Sequence, residues 1–171
     1  MSESSEWSVE RLEARVAALA PGSRELETIR ESAEFDAYQS DKDRHARLRW
    51  AKLSLAANRK LQCDSSRDRA GMLTVDFMLR TWIIERVGPD DADPDWNPEA
   101  LAADTLAALT LGPGQADAAS TSWQTLPIEQ IRELRRHKNL TRHLDRLIGY
   151  LPPGPGRARL SAWCEVRGRL P

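Results

Sequence analysis

Residues 127–151, PIEQIRELRRHKNLTRHLDRLIGYL, constrain the fold more than any other stretch of the chain. At about 100° per residue, Arg132, Arg135, Asn139, Arg142 and Arg146 fall in one narrow arc. Leu134, Leu140, Leu144, Leu147 and Ile148 fall on the other side. That pattern gives a helix one face to bury and one face to keep in water. Read by periodicity, the stretch is a long amphipathic helix. Asn139-Leu140-Thr141 is the place where it would break, with Thr141 capping a separate helix. Pro152-Pro153-Gly154-Pro155-Gly156 stops it, because proline lacks the N–H a helix needs.

The same period recurs along the chain. Val9, Leu12, Val16 and Leu19 give a first helix over residues 8–20, ended by Pro21-Gly22. Ser23 caps a second, with Leu26, Ile29 and Ala33 on one face. A third, residues 41–62, is apolar on two sides: Trp50, Leu53, Ala57 and Leu61 on one, Leu48, Ala51 and Leu55 on the other. Such a helix is sandwiched between neighbours. Residues 66–87 are the most apolar of all, which makes the fourth helix the expected centre of the core; Ser65 and Asp68 have capping-box spacing before it. On that helix Trp82 is an expected core residue, and Asp76 and Arg80, one turn apart, read as a structural ion pair. Residues 88–98, GPDDADPDWNP, form an acidic loop, and Asn97-Pro98 starts a fifth helix. Residues 157–166 make a last short helix before a loose basic tail. The expectation is an all-α bundle of six to eight helices. Its organisation reads as an N-terminal helical bundle (1–111), a small and polar linker (112–126) and a basic helical segment (127–171), or as one domain throughout.

A length of 171 residues suits one domain or two small ones. With 40% hydrophobic and 30% charged residues the chain is globular, not disordered. It has no apolar run long enough for a membrane span, and MSESSEWSVE lacks the basic start of a leader, so a cytoplasmic location without membrane contact is expected. Cys63 and Cys164 lie far apart and outside any CxxC pair, as free thiols would. The net charge of −1 conceals four blocks. Residues 1–41 carry 10 acidic and 4 basic side chains, residues 42–86 carry 5 and 11, residues 87–126 carry 7 and none, and residues 127–171 carry 4 and 10. Either the blocks pair with one another inside the fold, or the basic ones serve a polyanion.

Motifs for catalysis are weak. Glu10 with Glu13, and Glu31 with Glu34, have the ExxE spacing of metal-carboxylate hydrolases, but no later ExxD joins them, and a solvated acidic face explains them. Asp91, Asp93 and Asp95 alternate as in a calcium loop, yet Pro94 intrudes and the central Gly is missing. His45, His137 and His143 sit among arginines, which suits surface positions or phosphate contacts better than a general base. Asp41 with His45 and Glu133 with His137 supply two ligands each where zinc asks for three or four. No glycine-rich phosphate cradle is present. No catalysis, metal or cofactor is expected.

The strongest signal is a pair of basic rows. Arg49, Lys52, Arg59 and Lys60 line the third helix between its apolar sides, with Ala56 filling the gap. Arg132, Arg135, Arg142 and Arg146 line the stretch first described. Side chains one helical turn apart are spaced by about 5 Å, which lets a helix track a phosphate backbone. Contacts of that kind supply affinity without reading sequence. The competing reading packs each row against the acidic first two helices or the acidic loop.

Two resemblances attach to these features. IRELRRHKNLT (residues 131–141), LDRLIG (144–149) and WCEVRGRLP (163–171) resemble the first helix, second helix and closing segment of a phage-repressor-type helix-turn-helix, although PPGPGRAR stands where the recognition helix would be. That likeness implies a DNA-binding regulator. In plan alone, an all-helical chain of this length with basic surfaces is similar to the small helical subunits of multi-subunit CRISPR ribonucleoprotein effectors. That likeness implies a non-catalytic subunit that contacts RNA or single-stranded DNA backbone and neighbouring protein subunits. A third reading is an adaptor whose charged faces dock only protein.

Overall fold

The structure, a computed structural model, describes residues 8–171. The acidic N-terminal start read above lies mostly outside the described residues. Every regular element described is helical, as expected: eight α-helices of eight residues or more, one α-helix of a single turn and two short 3-10 turns. Among the described residues no helix is long and apolar enough to cross a membrane. The chain divides into two compact units, one ending at Leu79 and the other spanning Arg80–Pro171.

The first unit holds α1 (Val9–Ala18), α2 (Arg24–Tyr38), α3 (Arg44–Gln62) and residues 69–79 of α4 (Arg69–Val87). Polar caps set its helix starts. The Ser8 hydroxyl accepts from the Arg11 N–H, Ser23 from Glu25, and Asp43 from Ala46. Asp68 itself accepts from the Ala70 N–H at 3.1 Å, so α4 begins after Asp68 and not at the expected Ser66. Leu12 and Val16 of α1, Leu26, Ile29 and Ala33 of α2, and Leu53, Ala57 and Leu61 of α3 form one core. The second apolar side of α3 is real as well: Ala51 and Leu55 are buried. Two polar side chains are buried with them, each donating to a backbone carbonyl. Ser54 donates to the Arg30 carbonyl at 3.0 Å, and Asn58 donates to that of Met72 at 3.0 Å.

The second unit holds residues 80–87 of α4, α5 (Pro98–Ala108), α6 (Pro113–Ser120), α7 (Ile128–Leu140), α8 (Leu144–Leu147) and α9 (Pro155–Arg167), with 3-10 turns at Trp123–Thr125 and Ile148–Tyr150. Its organiser is α9, which packs against α5, α6 and α8. The expected short last helix is thus the longer and more central one here. Trp163 of α9 is buried against the ring of His137, with centroids 5.4 Å apart and planes 24° from parallel.

Several expectations change in this unit. Residues 112–126, read as a linker, contain α6 and a 3-10 turn; Pro113 opens α6 and the Gln115 side chain accepts from the Gly112 N–H. Residues 88–98 are a folded turn system around Trp96, which is fully buried. Asp90 and Asp93 accept from the Ala92 and Asp95 N–H groups, and the Asp90 N–H donates to the Trp96 carbonyl. Their carboxylates are spent on shaping the backbone. Asn97 caps α5 as expected, accepting from the Ala100 N–H at 3.0 Å. Trp82 is only partly buried, with the Arg86 guanidinium 5.8 Å from its ring centroid; Trp96 and Trp163 are the fully buried tryptophans. The C-terminal tail is tied down, because Lys138 donates to the Leu170 carbonyl at 2.7 Å and Leu170 is buried.

Candidate nucleic-acid interface

Of the first basic row, three members are committed inside their unit. Arg49 spans two carboxylates of α1, with Nε 3.1 Å from Glu13 Oε1, Nη2 2.9 Å from Glu13 Oε2, and Nη1 on Glu10. The hydrogen bonds it donates to Glu13 raise the guanidinium pKa further. The ExxE pair of the sequence is therefore a clamp for an arginine. Lys60 donates to the carbonyls of Val16 and Ala17, at 2.6 and 2.7 Å. Those carbonyls end α1 without helical partners, so the ammonium satisfies them and meets the negative end of the helix dipole. Arg59 binds buried Asp76 at 2.8 Å, and Lys52 lies exposed on the same helix. Beyond the row, Arg67 pairs with Glu27 and Lys42 with Asp36. In this unit the acidic and basic blocks meet each other.

The second row is arranged differently. The expected single helix ends at Leu140 and a turn spans residues 141–143. Thr141 does not cap α8; its hydroxyl folds back onto the His137 carbonyl at 2.8 Å and closes α7. Arg167 of α9 then takes the Thr141 and Arg142 carbonyls at 3.0 and 3.1 Å and pairs with Asp145, which fixes the turn. Arg132 and Arg135 consequently share the outer face of α7, Arg142 sits in the turn and Arg146 in α8. Arg132 is 72% exposed and 3.9 Å from Glu129, itself 74% exposed, a separation at which little is gained in water. The side chains of Arg135 and Arg142 have no hydrogen-bond or ion-pair partner among the described residues. Arg146 lies 3.7 Å from Glu85 and is 62% exposed.

The histidines of this unit are not surface residues. His137 is fully buried. Its Nε2 accepts from the Thr110 and Leu111 N–H groups, each at 3.1 Å, and so carries no proton; Nδ1 donates to the Glu133 carbonyl at 2.7 Å. It closes the chain after α5 onto α7. Glu133, one turn from His137, takes the Thr110 hydroxyl and Arg136. His143 is buried beside Thr105, and burial, with the nearby charges of Arg80 and Arg167, brings its pKa down to about 4. His45 of the first unit is exposed. Among the described residues no three His, Cys, Asp or Glu side chains are grouped so as to hold a metal. Burial and Asp145 push the Cys164 thiol up to about 12.

Periodicity missed a set of inward cations. Arg80 forks onto the Asp95 and Pro94 carbonyls at 3.1 and 2.9 Å and onto Asp104 at 2.7 Å. Arg136 donates to the Ala108 carbonyl, and Arg167 holds the turn already described. Nothing in a single sequence separates these arginines from Arg132 or Arg135, since carbonyl acceptors leave no residue signature. A groove of about 320 Å3 lies between α5 and residues 151–157, apolar apart from Glu99 and Arg157 at its rim. The chain matches no protein-family model, no curated protein and no solved structure.

Proposed function

We propose that this protein is a non-catalytic, phosphate-backbone-binding subunit of a larger nucleic-acid assembly, of the plan of the small helical CRISPR-effector subunits. The contact surface is Arg132, Arg135, Arg142 and Arg146. The observation that carries the reading is the state of those side chains: outward, and with Arg135 and Arg142 unpartnered among the described residues. An arginine already clamped by carboxylates must break those bonds to reach a phosphate; a solvated one only releases counter-ions. The first row enters this reading only through Lys52, because Arg49 and Lys60 serve the fold and Arg59 is paired with buried Asp76.

One observation favours the second reading, a helix-turn-helix regulator. The stretch that lacked a recognition helix by sequence begins the thirteen-residue α9, and Arg157 and Arg159 are exposed near its start. Against it, the LDRLIG segment forms a four-residue helix and a 3-10 turn, short for the supporting helix of such a motif.

Binding to labelled single-stranded RNA, single-stranded DNA and duplex DNA across a salt series tests both. Wild type is compared with a variant in which Arg132, Arg135, Arg142 and Arg146 are all glutamine. The subunit reading expects affinity that falls with salt, little sequence discrimination, and a slope reduced by about three in the variant. A strong preference for one duplex sequence selects the regulator. Absence of binding at low salt refutes both and leaves the protein-only adaptor.

A further inference from the structure

Residues 142–151 alternate at helical period between the interior and water. His143, Leu144, Leu147 and Leu151 are buried, whereas Arg142, Arg146 and Tyr150 are exposed at steps of four. Arg142 lies in the turn before α8, Arg146 in α8 and Tyr150 in the 3-10 turn after it, so the three follow one another along a single exposed run of the chain. Tyr150 ends this run in the 3-10 turn Ile148–Tyr150. The residue is 40% exposed, and its hydroxyl has no partner among the described residues. Tyrosine at a structural position buries its ring or anchors its hydroxyl, as Tyr38 does on Glu34 at 2.7 Å. Tyr150 does neither fully. The neighbouring Gly149 is also exposed, and apart from its two chain neighbours nothing lies within 4 Å of where its Cβ would be.

We infer that Arg142, Arg146 and Tyr150 form a binding track for single-stranded nucleic acid, in which the arginines hold successive phosphates and an unpaired base stacks on the Tyr150 ring. The inference rests on the phosphate-binding reading above and sharpens its substrate class. A base inside a duplex keeps its faces stacked on its neighbours and cannot lie on a protein ring; a single strand offers its bases freely. Stacking is tolerant of sequence, since every base has a π-face, so the track selects strandedness and not sequence.

The experiment uses the full chain and labelled oligo-U, oligo-dT and a duplex of equal length. The variants are Y150A, Y150W and the pair R142Q/R146Q, each checked by circular dichroism for helical content. Wild type is expected to favour both single strands over duplex. Y150A is expected to weaken single-strand binding about tenfold with an unchanged salt slope, because stacking releases no counter-ions. Y150W restores binding, and R142Q/R146Q flattens the slope. Single-strand binding that is arginine-dependent but indifferent to Y150A overturns the track and leaves the phosphate-binding reading standing. Preference for duplex does the same. No binding by wild type at low salt overturns both.

Discussion

The basic row of α3 and the basic row of α7 and α8 start from one sequence pattern and finish in different surroundings. On α3, Arg49 lies across Glu10 and Glu13, and Lys60 closes the end of α1. On α7 and in the following turn, Arg132 and Arg135 face water and Arg142 is held only through its backbone. A helix apolar on two sides is flanked by neighbours, so its polar seam meets their polar edges. A helix apolar on one side leaves its polar face to solvent. The number of apolar faces therefore says more about the fate of a charged row than the row's own spacing does.

The contrast depends on α9, which packs against α8 and whose Arg167 pins the turn holding Arg142. Trp163→Ala removes a buried indole and the ring stacked on His137, and is expected to cost about 3–5 kcal/mol in denaturant unfolding. A cost under about 1 kcal/mol would show that α9 does not organise the second unit. Acid tests the same interior from another side. The His143 imidazole titrates near 6.5 when unfolded and at about 4 when folded, so between those values the unfolded chain binds the extra proton. Stability is full above pH 6.5 and declines as pH falls toward 4, by up to roughly 3 kcal/mol. His143→Gln should flatten that decline in urea melts at stepped pH, and an unchanged profile would assign the acid sensitivity to other groups.

Much of this was legible in the chain. Ser23 and Asn97 announced helix starts, because a short polar side chain before a periodic run can take the free N–H groups of the first turn. The two-sided pattern of α3 announced its burial. What stayed hidden depends on backbone acceptors or on distant partners. Thr141 looks like a cap by type, yet its hydroxyl turns back to the His137 carbonyl, and only Arg167, 26 positions on, stabilises that break. The acids of residues 88–98 looked like those of an open acidic loop, but two of them fold their own turns around Trp96. His137 and His143 look like surface residues among arginines; their burial follows from α9 and α5 arriving over them, which no local window contains.

Lys60 offers a smaller and more direct probe of the first row. Lys60→Met keeps the aliphatic stem and removes the ammonium from the last carbonyls of α1. A loss of about 1 kcal/mol is expected, the size of a helix-end charge with its hydrogen bonds. The same substitution should leave any nucleic-acid affinity unchanged, measured in the salt series used for the arginine variants. A large affinity loss without a stability loss would reverse the assignment of this residue and return the α3 row to the interface.

The finest test sets Arg132→Gln/Arg135→Gln against Arg49→Gln. The first pair removes exposed charges, of which, among the described residues, Arg132 has only Glu129 nearby at 3.9 Å and Arg135 has no partner, so unfolding free energy should move by less than about 0.5 kcal/mol. Its binding slope against salt should nevertheless fall by about 1.5, roughly 0.7–0.9 for each phosphate contact given up. Arg49→Gln should do the opposite: lower stability by freeing Glu10 and Glu13 from their shared cation, and leave the slope where it was. Equal behaviour of the two variants in both measurements would erase the distinction between a row that holds the fold together and a row that is available to a ligand. A shift in stability for the α7 pair would mean that Arg132 and Arg135 are structural as well, and the phosphate surface would then shrink to Arg142 and Arg146.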